Sequence, residues 1–120
     1  MVVSRLRATA KTDVALPQSV VAEVAFGLAR LPRSKRRDHL ERAWQAITAE
    51  IPRLTWTDDV SEAFGRIKAA LERSGRPIDD FDLANAAHAV AAGASLVTFN
   101  TRHMKRVPGL SLEDWSQPVA

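Results

Sequence analysis

The stretch Asp79-Asp80-Phe81-Asp82-Leu83-Ala84-Asn85-Ala86-Ala87-His88-Ala89-Val90-Ala91-Ala92-Gly93-Ala94-Ser95-Leu96-Val97-Thr98-Phe99 reads as a helix running into a strand. Asp79 or Asp80 begins the helix, alanine dominates it from Leu83 to Ala92, and Gly93 stops it. Ala84, Ala87 and Ala91 carry little bulk, so this helix can lie close to a sheet. Ser95–Phe99 is the clearest strand in the chain.

The same alternation extends in both directions. On the N-terminal side, Val60, Ala63, Phe64, Ile67 and Leu71 define the buried face of a helix capped by Thr57 or Asp58 and closed by Gly75. Ile51-Pro52-Arg53-Leu54-Thr55-Trp56 is short and β-leaning, with Pro52 marking its first residue or an edge. Leu40, Ala43, Trp44 and Ile47 form another amphipathic helix. Pro32 separates it from a helix whose face is Val20, Val21, Val24, Leu28 and Leu31, with Ser19 as its cap. Val14-Ala15-Leu16 reads as a strand, and Val2, Val3, Leu6 and Ala10 as a short amphipathic helix. On the C-terminal side, a basic turn from Thr101 to Arg106 leads through Pro108-Gly109 to a strand near Leu110–Leu112. Short strands alternating with helices of ten or more residues predict an α/β fold with a mainly parallel sheet. Ligands of such sheets bind beyond the carboxyl ends of the strands.

Composition bounds the rest. The 120 residues, 46% hydrophobic, suit a single domain spanning 1–120. No apolar run reaches the roughly 18 residues of a membrane span, and Arg5 and Arg7 interrupt any signal-peptide core. The chain has no cysteine, which excludes disulfides and zinc–thiolate sites and fits a cytoplasmic protein. Seventeen Lys and Arg against 14 Asp and Glu leave a net charge of +3, compatible with nucleic acid without requiring it. No Gly-rich phosphate loop follows a strand, and no serine lies in a Gly-x-Ser-x-Gly elbow. His39, His88 and His103 occur in unrelated contexts, and His88 reads as a packed or surface residue.

Two acids stand out. Glu23 lies in the otherwise apolar Val20-Val21-Ala22-Glu23-Val24-Ala25-Phe26-Gly27. Burying its charge costs several kcal/mol unless it is paired or metal-bound; alternatively it faces water, favoured by the helix dipole. Asp79, Asp80 and Asp82 crowd three carboxylates into four positions. At about 4 Å, like charges repel by roughly 4 kcal/mol at an effective dielectric near 20, so such clusters imply a cation or solvent. Asp79, and less clearly Asp80, also suits a cap or dipole partner. Glu23 and Asp82 could hold a hard divalent cation if their helices begin at the same sheet edge.

These segments, in order, resemble the PIN-domain ribonucleases that serve as toxins in bacterial VapBC toxin–antitoxin pairs. Val20–Gly27 resembles the segment whose helix carries a metal-binding glutamate. Gly75-Arg76-Pro77-Ile78 with Asp82 and Ala86-Ala87 resembles the segment with the next acidic ligand. Leu96-Val97-Thr98-Phe99-Asn100-Thr101-Arg102 looks like the following strand and polar turn. Val107-Pro108-Gly109-Leu110 and Glu113-Asp114-Trp115 look like the closing strand and tail. The resemblance implies an α/β/α sandwich and a Mg²⁺- or Mn²⁺-dependent endoribonuclease, often a homodimer, inhibited by a small VapB-like antitoxin. It makes Glu23 and Asp82 the metal ligands and catalytic residues, with Asp80 and His103 as further metal candidates. Arg102, Lys105, Arg106 and Asn100 become candidate RNA contacts, as does the cluster Arg30, Arg33, Lys35, Arg36 and Arg37.

The chain departs from the family pattern twice. The family opens on a central strand ending in aspartate, in a Leu-Asp-Thr-Asn-like context, whereas the only acid here before Glu23 is Asp13. His103 stands where an acid is common. The expectation is therefore a PIN-like domain lacking its first strand, with upstream sequence restoring it as the favoured account and a degraded paralogue or a partner strand filling the gap as the alternatives. The alternative function is a PIN-like module that binds antitoxin or RNA without cutting.

Overall fold

The computed structural model describes residues 13–98 and 101–115. The helix expected over the first ten residues lies outside them, as do Phe99 and Asn100. The order is β1 (Leu16–Pro17), α1 (Gln18–Ala29), α2 (Lys35–Thr48), β2 (Arg53–Leu54), α3 (Asp58–Arg73), α4 (Asp80–Ala92), β3 (Ser95–Val97), α5 (Thr101–Met104) and β4 (Ser111–Glu113).

The core forms where α3 meets α4. Val60, Ala63, Ile67 and Leu71 recur at three- and four-residue intervals along α3 and pack against Leu83, Ala86 and Ala87 of α4. Ala86 and Ala87 are wholly buried and too small to hold the helices apart. Met104 and Val107 complete this core, and Leu96, Leu110 and Leu112 pack on it from the strand side. Helix ends follow their local chemistry. The Thr57 side chain accepts from the Val60 amide, and Asp79 from the amides of Phe81 and Asp82. Gly93 ends α4 with φ +64°, a left-handed turn that an L side chain rarely adopts. Only Gly93 and Ala94 separate α4 from β3, so the chain reverses there and the start of α4 lies toward the carboxyl end of β3.

All the strand pairing among the described residues is parallel. Leu16 faces Arg53 and Pro17 faces Leu54 in one pair; Ser95, Leu96 and Val97 face Ser111, Leu112 and Glu113 in the other. Among the described residues these remain two separate two-stranded sheets. The halves meet instead through helix packing, chiefly α1 on α4.

Several local expectations need correction. The strand predicted at Val14–Leu16 is displaced to Leu16–Pro17, where the Leu16 amide reaches the Pro52 carbonyl at 2.8 Å. The β-leaning run from Ile51 to Trp56 is a strand only at Arg53–Leu54. Pro17, not Ser19, occupies the N-cap of α1, and Ser19 lies inside the helix with its hydroxyl turned elsewhere. The basic turn from Thr101 is a helical turn, α5, which drives Met104 into the core. The faces predicted for α1 and α2 are only partly covered: Leu40 and Ile47 are exposed, and Val20, Val21, Val24 and Leu28 are half-buried.

Candidate functional site

Helix α1 leaves the carboxyl end of β1 and carries Ser19 and Glu23 one turn apart on one face. Helix α4 presents Asp82 in its first turn and Asn85 one turn later. These two faces meet. The Asn85 amide nitrogen donates to Glu23 Oε1 at 2.9 Å, and the Ser19 hydroxyl donates to Asn85 Oδ1 at 2.5 Å. A carboxylate only accepts, so Asn85 must turn its NH₂ toward Glu23 and leave its carbonyl to the serine. Ser19 is 6% exposed, and Glu23 and Asn85 are half-buried. Glu23 is therefore partnered and partly covered, not simply facing water.

The neighbouring aspartates divide differently. Asp79 is the N-cap of α4. Asp80 pairs with Lys68 of α3, Nζ to Oδ1 at 3.2 Å, and both remain well exposed. Asp82 is half-buried. His103 and Arg102 are exposed on α5, just beyond β3, and Lys105 is exposed after it. Arg106 turns back, its Nη1 donating to the Pro77 carbonyl at 3.4 Å, which ties this basic segment to the loop entering α4. No group of three or more His, Asp or Glu side chains with metal-binding geometry occurs among the described residues. The oxygen donors Glu23 and Asp82 are hard and anionic, which fits Mg²⁺ or Mn²⁺ completed by water and phosphate.

The basic cluster between α1 and α2 is dispersed. Arg37 pairs with Glu41 at 2.9 Å and donates to the Leu31 carbonyl, and Arg30 covers the Phe26 ring at 5.6 Å. Arg33, Lys35 and Arg36 are exposed.

A sequence profile described as PIN domain matches residues 2–110. The chain belongs to the PIN domain family. Ribonuclease VapC2 of Rickettsia felis is 29% identical over 104 residues, covering 87% of this chain and 75% of the relative. A tRNA(fMet)-specific endonuclease VapC from Shigella flexneri is 52% identical over 52 residues, 43% of this chain and 39% of that protein. Among solved structures, VapBC2 of Rickettsia felis bound to a promoter DNA fragment matches with a TM-score of 0.76 at 30% identity. That match covers 84% of this chain and 74% of the other. The PIN domain here is thus of the VapC type, and the PIN-like α/β fold expected from the sequence is the one found.

Sequence reasoning passed over two residues that the structure brings against Glu23 in a hydrogen-bonded chain, Ser19 and Asn85. Ser19 had been assigned to capping, and Asn85 had been read only as part of an alanine-rich run. The available signal was Asn85 itself, a side chain with two donors and an acceptor among residues that offer none. His88, two positions on from Ala86, is packed: it is 1% exposed, and the Trp56 ring meets it edge-on at 5.4 Å.

Proposed function

We propose that the chain is a divalent-metal-dependent endoribonuclease that cleaves RNA phosphodiester bonds as the toxin of a VapBC-type pair. It would work in the cytoplasm as a homodimer formed by a single PIN domain, restrained by a small VapB-like antitoxin. The observation that carries this reading is the hydrogen bond from Asn85 to Glu23. Asn85 lies one turn beyond Asp82, so two acids 59 positions apart in the chain belong to one neighbourhood. The names of the VapC relatives supply the substrate class.

Glu23 and Asp82 would hold the cation, with Asp80 and His103 as outer candidates. A bound Mg²⁺ or Mn²⁺ supplies charge neutralisation at the phosphate and makes the attacking water more acidic. Arg102, Lys105, Arg106 and Asn100 would draw in the RNA backbone, which carries a charge at every nucleotide. No helix among the described residues is long and apolar enough to cross a membrane.

The test is cleavage of tRNA(fMet), the substrate named for the Shigella relative, titrated with Mg²⁺ and Mn²⁺. The same assay compares the chain with a version extended upstream to include an aspartate-ended strand. Metal-dependent cleavage by either form, lost in Glu23→Gln and Asp82→Asn, is the expected result. A second reading is a module that binds RNA or antitoxin without cutting, favoured by the lack of a three-ligand cluster among the described residues. RNA binding without cleavage in both forms, at any metal concentration, would establish it and sink the nuclease.

A further inference from the structure

We infer that Asn85 is a positioning residue for Glu23, held in its working orientation by Ser19. The inference rests on the reading of Glu23 and Asp82 as metal ligands, and it adds a relay of three side chains drawn from two helices.

The relay has a fixed polarity. Glu23 offers only acceptors to its neighbours, so Asn85 meets it with NH₂ at 2.9 Å. The Asn85 carbonyl is then left to accept from a donor, and the Ser19 hydroxyl occupies that place at 2.5 Å. A flipped amide would set its carbonyl oxygen against the Glu23 carboxylate. Ser19 is almost fully buried, so its hydroxyl has little access to solvent partners. Each bond therefore supports the other: the serine fixes the amide, and the amide fixes one carboxylate oxygen.

The consequence is directional. With Oε1 engaged by Asn85, Oε2 of Glu23 has no hydrogen-bond partner among the described residues and can take another partner. An unbranched glutamate side chain has three rotatable bonds, and an unrestrained one loses that freedom each time it binds an ion. Asn85 removes part of this cost in advance. It does so from the helix that also carries Asp82, which couples the placement of both acids to one rigid element. Ser19 lies one turn before Glu23 on α1, so the relay also locks the rotation of α1 against α4. Residues that orient metal ligands in this way commonly alter metal affinity by about 10–100-fold when removed.

The experiment is Mn²⁺ titration followed by electron paramagnetic resonance, with thermal unfolding measured on the same samples. The set is wild type, Glu23→Gln, Asn85→Leu and Ser19→Ala. Asn85→Leu keeps a side chain of similar size but loses the donor; it should bind Mn²⁺ about tenfold more weakly. Ser19→Ala keeps Asn85 and loses only its anchor, so its loss should be smaller; it carries the test if Asn85→Leu does not fold. A merely structural role would move the unfolding temperature and leave Mn²⁺ affinity unchanged. If Glu23→Gln weakens binding while Asn85→Leu and Ser19→Ala bind like wild type, the positioning role is wrong and the metal reading stands. If wild type and Glu23→Gln behave alike, the metal reading fails and takes this inference with it.

Discussion

Trp56 meets the His88 ring edge-on at 5.4 Å, and both nitrogens of that imidazole lack a hydrogen-bond partner among the described residues. Burial disfavours the charged form and lowers the His88 pKa from its ordinary 6.5. The unfolded chain therefore takes up a proton at this position before the folded chain does. Stability is full above about pH 6.5 and is lost as pH falls from there toward the depressed folded value, by at most about 1.4 kcal/mol per pH unit for one proton. Urea unfolding between pH 5 and 8 should show this slope in wild type and a shallower one in His88→Phe, which keeps the aromatic contact. Identical slopes would show that His88 does not titrate on unfolding.

Asp79 is a cap, and a cap needs an acceptor oxygen, not a charge. Asp79→Asn should leave both unfolding and RNA cleavage near wild type, whereas Asp79→Ala should cost about 1 kcal/mol of stability. A large loss of cleavage in Asp79→Asn with unchanged stability would make Asp79 a ligand instead.

Ile67 is fully buried where α3 faces α4. Ile67→Ala should destabilise by about 2–5 kcal/mol, through lost transfer energy and the cavity left behind. Denaturant unfolding checks this; a cost below about 1 kcal/mol would mean the two helices collapse onto the gap.

Arg102 and Lys105 are exposed in the basic segment that Arg106 ties to the loop entering α4. If they contact RNA phosphate, replacing either by alanine should weaken binding to all RNA sequences alike. The slope of log affinity against log salt should then become shallower by about one. An unchanged slope in both variants would remove them from the interface.

Much of the fold was legible because it is written in periodicity. The α3 face, the caps narrowed to Thr57 or Asp58 and to Asp79 or Asp80, and the Gly75 and Gly93 stops depend on residues a few positions apart; the structure selects Thr57 and Asp79 within those pairs. The exact strands were less legible. With two or three residues each, they depend on which neighbour supplies a ladder, and Leu16–Pro17 is a strand only because Pro52 and Arg53–Leu54 lie alongside. For the candidate site, Glu23 was visible as a charge in apolar surroundings. Its partner Asn85 was not, because a contact across 62 positions leaves no local trace.

The division of the strands into two pairs has a mechanical consequence. Among the described residues no backbone ladder runs from Leu16 to Leu96, and there the two pairs are linked chiefly through the α1–α4 crossing. Loosening that crossing would let one lobe breathe while the other stays intact. Amide protons of β1 and β2 should then exchange with solvent on a different clock from those of β3 and β4.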